Sequence, residues 1–288
     1  MNRRALLSVN LAVLLFGLAG LFAKWISIPA IGITFGRVFF SSLALLVFLL
    51  ARRQSIRLQG KRDLLLLLCA GGVLALHWWA FLASIQLSTV AIGTITFSSF
   101  PLFVTLLEPL VFHQRLKAGS VGIALVILLG VIITIPELSL QNRQFLGILV
   151  GMLSALSYAA LTLLNKTFTA RYSGTVISFY EQAAAAVILL PFVLNAGLRP
   201  TKTELGLLVL LGVVTTALAH TLFINSLREL PARLAGVCSS METVYGILFA
   251  FLLLHEVSSL RECIGAVVII AAVLYAQGVD REGQAEGN

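Results

Sequence analysis

The sequence predicts an all-α membrane protein of ten transmembrane helices, built from two inverted five-helix repeats. Three observations carry that expectation. Of 288 residues, 59% are hydrophobic and only 11% are charged, against about 25% charged in a soluble domain. Apolar runs such as Val121 to Ile135 and Leu205 to Leu218 recur from one end of the chain to the other; no soluble core hides that many, so the bilayer must. The chain also matches itself when displaced by about 142 residues, the first comparison to make in any multi-helix chain.

Helix 1 opens the chain. Arg3-Arg4 followed by an apolar stretch from Ala5 to Ala23 imitates a signal peptide. Its length of about 19 residues exceeds the roughly 7 to 15 of a signal sequence and approaches the ~20 that cross a bilayer. Cutting the rest at charge and turn clusters adds spans over 32–51, 64–85, 89–112 and 119–136, which with 5–23 make repeat one, 5–136. Repeat two, 145–279, holds spans over 145–164, 174–195, 204–226, 234–254 and 262–279, and 280–288 is a short cytoplasmic tail. Connections of about 3 to 12 residues leave no room for a soluble domain, so residues 1–288 read as a single membrane domain.

A net charge of +8 would suggest nucleic acid in a soluble protein, but in a membrane protein basic residues collect in loops that stay cytoplasmic. With the amino terminus on that side, fourteen of the 20 basic residues fall there, from Arg3 and Arg4 through the run Arg52, Arg53, Arg57, Lys61 and Arg62 to Arg281. Five fall opposite, Lys24, Arg143, Arg199, Lys202 and Arg261, and Arg37 lies inside a helix. The expectation is a multi-pass protein of a bacterial inner (plasma) membrane with both termini cytoplasmic. Its surroundings are the lipid bilayer, and no nucleic acid is implied. Cys69, Cys238 and Cys263 show no metal-ligand spacing and read as small buried hydrophobes. Neither a metal nor a cofactor is expected.

The self-match is specific. Leu21-Phe22-Ala23-Lys24 falls on Leu163-Leu164-Asn165-Lys166, Ser84-Ile85-Gln86 on Ser226-Leu227-Arg228, and His113-Gln114 on His255-Glu256. At an offset of 144, Ile33-Thr34-Phe35-Gly36-Arg37 falls on Ile177-Ser178-Phe179-Tyr180-Glu181. Five helices per repeat is an odd number, so the two copies must enter the membrane from opposite sides. Such a pair can exchange conformations between its halves and open a shared midplane site to either side in turn, which is the logic of a secondary transporter.

These features resemble the EamA family of the drug/metabolite transporter superfamily. The resemblance covers nearly the whole chain and rests on the two five-helix units, on Phe35-Gly36-Arg37 opening helix 2, and on helices 4 and 9 passing into His113-Gln114-Arg115-Leu116 and His255-Glu256. Gln114 stands where the family pattern has an acid. The resemblance implies a ten-helix bundle whose central cavity is lined by helices 1, 3, 4, 6, 8 and 9, with helices 5 and 10 peripheral, and a small-molecule substrate, an exported amino acid or related metabolite.

An ionisable side chain at the bilayer centre costs about 2.5–3.5 kcal/mol on insertion scales, so each needs a reason. Glu242 is the deepest, opposite Phe100-Pro101 in the repeat, where Pro101 should break helix 4. Glu242 either binds a substrate amine or exchanges a proton, or it makes an interhelical hydrogen bond. His77, Trp78 and Trp79 in helix 3, with His220 in helix 8, form either one wall of a cavity for an aromatic or cationic solute or an interfacial belt. Tyr158 and Tyr245 would add hydroxyls to that cavity, and Ser98 and Ser99, with Ser239 and Ser240, flank the midplane as polar contacts or as small packing residues. Lys24, Arg37, Glu108, Lys166 and Glu181 read as gate or interface residues; Arg37 and Glu181 are equivalent in the repeat but are expected near opposite membrane faces, their long side chains reaching outward. Gly147 and Gly151 suggest close packing of helix 6. Proton coupling is compatible with these groups, and the oligomeric state is open.

Enzymes find little support. There is no His-Glu-x-x-His helix, no Gly-x-Ser-x-Gly elbow and no aspartate cluster for Mg²⁺, nor a phosphate-cradling loop for a primary pump. An ion or solute channel is the remaining rival, since pores need few sequence marks. One deep acid among aromatics favours an amphipathic amine or amino acid as substrate.

Overall fold

The computed structural model describes residues 3–112 and 118–285. Ten helices follow in chain order: α1 (Arg3–Trp25), α2 (Ala30–Ala51), α3 (Lys61–Leu87), α4 (Val90–Phe112), α5 (Ala118–Ile133), α6 (Arg143–Phe168), α7 (Gly174–Asn195), α8 (Lys202–Ser226), α9 (Ala232–Phe249, extended by a π-helical turn over Ala250–Leu254) and α10 (Leu260–Ala285). Among the described residues seven are long and apolar enough by length and composition to cross a membrane; Val121–Ile133 and Cys238–Leu254 are shorter apolar helices. The His113-Gln114-Arg115-Leu116 motif lies outside the described residues. Helix 10 was expected to end at 279, but α10 continues to Ala285.

Local chemistry sets the helix starts. Thr201 and Glu204 form a capping box at α8, and Glu204 also accepts from the Ser27 amide at 2.8 Å, tying the α1–α2 connection to it. Asn142, Ser173 and Thr89 side chains accept from the first-turn amides of α6, α7 and α4. Two helices are broken where a polar or small residue interrupts the apolar run. A turn at Gly20 and Leu21 divides α1, and one at Ser98 and Ser99 divides α4, with Pro101 in the first turn of the segment beyond, where its missing N–H costs nothing.

Helix pairs α3/α6, α2/α7 and α3/α7 form the middle of the bundle, with α1 against α8 and α9. The α5/α10 pair stands to one side, joined to α4 through Ile95, Leu102, Ile127 and Ile269. Close approach of α6 to α3 and α4 depends on two glycines: a Cβ at Gly147 would lie 2.8 Å from Ser88 Oγ, and one at Gly151 2.9 Å from Ser84 Oγ. Ser84 Oγ also donates to Gly147 O at 2.7 Å. Gly151→Leu is therefore expected to destabilise the fold by about 1–3 kcal/mol or more through overpacking, measured as earlier thermal unfolding in detergent; unchanged unfolding would show that the seam yields.

Cys69 and Cys263 are exposed and Cys238 half-buried, so none of the three cysteines is the buried hydrophobe expected. The reason is the solvent. In a bilayer the outside is as apolar as the core, and an apolar side chain gains nothing by turning inward. Leu7, Leu110 and Leu253 face outward for the same reason. At the end of the bundle where α3 begins, Arg171 Nη1 reaches Asp63 Oδ1 and Oδ2 at 2.9 and 2.8 Å, and the Tyr172 hydroxyl donates to Asp63 Oδ2 at 2.5 Å. Burial, reinforced by the neighbouring carboxylate, holds the Tyr172 phenol above its ordinary pKa.

Candidate functional site

A narrow cavity lies in the middle of the bundle, walled by Phe16 and Ala19 of α1, Arg37 of α2, His77, Trp78 and Phe81 of α3, Phe97 of α4, Tyr158 of α6 and Glu242 of α9. The space open to a water centre is about 20 Å³, room for one water. Two of its walls carry an acid and a base. Arg37 is 1% exposed and Glu242 4%, and each lies within electrostatic range of the other.

Backbone irregularities position both. Residues Val213–Leu218 of α8 form a π-helical turn, in which Thr216 Oγ1 donates to Leu211 O at 2.7 Å and accepts from Arg37 Nε at 3.1 Å. Single π turns of this kind are common at functional sites. The Arg37 guanidinium lies 4.0 Å from the Trp78 ring centroid, a cation–π contact, and its Nη1 has no hydrogen-bond partner. Beside Glu242, the Thr243 hydroxyl donates to Thr94 O at 2.8 Å and is bonded to Ser98 Oγ. The break in α4 and the deep acid of α9 thus meet across one seam.

Aromatic rings fill the remainder. His77 stacks on Tyr158 at 4.4 Å and its Nδ1 lies 2.9 Å from Ser154 Oγ. Tyr158 packs against Phe97, Phe100 and Phe223, and its hydroxyl is unpaired.

Of the residues singled out from the sequence, Glu242, His77, Trp78, Tyr158 and Arg37 converge on this cavity. Others do not line it. Trp79, next to Trp78 but about 100° round the helix, packs half-buried on the core. Tyr245 packs over Gly17, Ser98 joins α4 to α9, and Ser99 donates to Thr96 O at 2.6 Å with Met152 Sδ at 3.2 Å. Ser239 returns its hydroxyl to Ala235 O. His220 and Glu181 pair behind the cavity wall, Nε2 to Oε2 at 2.9 Å, with both side chains fully buried.

Arg37 and Glu181 were expected near opposite faces with side chains reaching outward, and the structure corrects this. Both are buried. Each stands seven residues inside a helix of 22, roughly 10 Å from its start and a third of the way along it. A hydrogen bond from Ser41, one turn beyond Arg37, to Gln182, beside Glu181, brings the two close together.

The lysines make equivalent contacts in the two halves. Lys24 Nζ donates to Ser88 O at 2.8 Å; Lys166 Nζ donates to Leu230 O at 2.9 Å and to Leu227 O. Ser88 and Leu230 are separated by the same 142 positions as the lysines. Glu256 lies within electrostatic range of Lys24, and half-buried Glu108 within that of Lys166.

The profile of the EamA-like transporter family matches residues 3–135 and again 145–276. This chain belongs to that family. Among its relatives, an uncharacterized transporter, YxxF, of Bacillus subtilis is 24% identical over 98% of this chain and 91% of its own length. An S-adenosylmethionine uptake transporter of Rickettsia bellii is 27% identical over 84% of this chain and 82% of its own. The pseudopaline exporter CntI of Pseudomonas aeruginosa is 27% identical over 86% of each. A crystal structure of a protein 18% identical superimposes with a TM-score of 0.72 over 98% of this chain and 99% of that one, showing the same fold. This EamA-family chain is accordingly a multi-pass membrane transporter.

The family resemblance implied a cavity walled by helices 1, 3, 4, 6, 8 and 9. Here α2 contributes Arg37 directly, while α8 stands one layer back and acts through Thr216. Thr216, Phe16, Phe81 and Phe97 were not legible as site residues. Each is an ordinary residue of an apolar run, and only the packing of several helices selects it.

Proposed function

We propose that this chain is a secondary carrier exporting a small metabolite, an amino acid or an amphipathic amine, by alternating access of its two inverted five-helix repeats, with both termini in the cytoplasm. The observation that carries this reading is a narrow cavity in the middle of the bundle with Arg37 on one wall and Glu242 on another. An unpaired, buried guanidinium nitrogen suits a carboxylate, a buried carboxylate suits an ammonium, and the aromatic walls suit an apolar side chain. A nucleotide sugar would need more than one cation. One relative is named for S-adenosylmethionine, an amino-acid derivative with a positive sulfur, which is chemistry of the same class.

Two features support the repeat. The family profile matches twice, and the lysine contacts recur 142 positions apart. A cavity with room for one water, flanked towards each end by a bonded lysine, supports a carrier between its open states over a pore. The test is counterflow in liposomes holding the purified chain, with labelled L-phenylalanine and S-adenosylmethionine as probes. Preloading with the unlabelled compound is expected to accelerate uptake of its labelled form. A pore shows no such acceleration, and failure of both probes, with no thermal-shift response to other amino acids or amines, would overturn the reading.

A further inference from the structure

Unpaired buried polar atoms are rare in native proteins, and each calls for an explanation such as a bound water or ion. Among the described residues they are Arg37 Nη1, in the cavity, and eight others, all on α6, α7 or α8: Tyr158 Oη, Thr162 Oγ1, Asn165 Oδ1, Ser178 Oγ, Glu181 Oε1, Gln182 Nε2, His220 Nδ1 and Thr221 Oγ1. Their placement is directional. Tyr158, Thr162 and Asn165 share one face of α6 and lead from the cavity to Lys166. Ser178 lies between Glu181 and the start of α7, and Thr221 between His220 and the end of α8. The end of α6, the start of α7 and the end of α8 meet at one end of the bundle: the Asn225 carboxamide oxygen accepts from the Gly174 amide at 2.8 Å, and Lys166 holds Leu227 and Leu230.

The titratable members of this set outside the solute cavity are Glu181 and His220. The pair is fully buried, and each partner keeps one polar atom free. Facing it are His77 from α3 and Tyr158 from α6, with Arg37 of α2 and Glu242 of α9 beyond; Asp63 of α3 is engaged at the bundle end by Arg171 and Tyr172. His220 lies edge-on to Trp78 at 5.4 Å, and Arg37 lies over the same ring at 4.0 Å. A change of charge on the pair is therefore felt at the solute-facing guanidinium through a single intervening side chain.

We propose that the Glu181–His220 pair is the binding site of a coupling proton, reached from the Lys166 end through the polar seam between α6, α7 and α8. Loading transfers one proton from hydronium to the pair and leaves water behind, so the charge of the pair rises by one. The hydroxyls and amides of the seam hold the waters that carry the proton. Its coupling to solute movement rests on the carrier reading above; the proton site itself does not.

Two measurements separate these claims. Infrared difference spectra of the full chain in lipid, recorded between alkaline and acidic pH with the proton as the only ligand, should contain a band of the loaded pair, a carboxylic-acid carbonyl with the proton on Glu181 or the mode of a carboxylate bonded to imidazolium with the proton on His220, that Glu181→Gln removes and His220→Gln shifts. Survival of the whole band in Glu181→Gln overturns the proposal. In liposomes with labelled L-phenylalanine and S-adenosylmethionine, Glu181→Gln is expected to keep counterflow and to lose the acceleration that a pH gradient gives the parent chain. A Glu181→Gln chain that still responds to the gradient, or a parent chain that never does, overturns the coupling. A parent chain without counterflow but with the Glu181 band defeats the carrier reading and leaves the proton site standing.

Discussion

Glu242→Gln is expected to abolish solute movement, a fall of at least about 100-fold in initial counterflow rate, in a chain that still inserts and elutes as a folded species. Glutamine keeps the shape and removes the charge. A hydrogen bond to a charged group is worth about 1.5–3 kcal/mol and more when buried, and each 1.4 kcal/mol is a factor of ten, so losing the anion that meets a substrate ammonium accounts for about two decades. Arg37→Leu differs in kind. It leaves Glu242 buried without its counter-charge and is expected to lower stability by about 3–5 kcal/mol, whereas the double variant Arg37→Leu, Glu242→Leu regains the fold and remains inactive. Normal counterflow by folded Glu242→Gln would remove the acid from the solute site, and a double variant less stable than Arg37→Leu would show that the two charges do not compensate each other.

The contrast between Arg37 and Pro101 shows what a membrane sequence exposes. Proline is a backbone statement, and it correctly placed the α4 break opposite Glu242, although the turn falls at Ser98 and Ser99. Arg37 is a statement about depth. Counted along the sequence it sits near the beginning of its helix, which suggested an interface, but two turns into a 22-residue helix is already a third of the way across. Facing is harder still. Trp78 and Trp79 are chemically the same, and only the direction of the α3/α6/α7 contacts sends one to the cavity and the other to its edge. In water, hydrophobicity would separate inside from outside; in lipid it does not, which is also why Cys69 and Cys263 face outward. The Glu181–His220 pair was visible as two polar residues in apolar helices, but its partnership joins α7 to α8 in three dimensions and has no mark in the spacing of either.

Lys24 and Lys166 carry the second large expectation, because they make the same bond at the two ends of the bundle. Take a chain with Cys69, Cys238 and Cys263 replaced by alanine, and place a reporter cysteine at Ala23 or at Asn165, buried positions beside the two lysines and 142 apart. Lys166→Met removes two carbonyl contacts and is expected to open that end, raising maleimide labelling of Asn165→Cys about tenfold, the equivalent of about 1.4 kcal/mol and less than the ideal for charged bonds because Lys166 is only half-buried. If the repeats alternate, labelling of Ala23→Cys must fall in the same protein, since a population drawn to one open state leaves the other. Lys24→Met should give the mirror result. Two ends that open independently, each lysine variant raising its own reporter and leaving the other unchanged, would describe two local latches on a pore and would exclude alternating access, whatever the cavity binds.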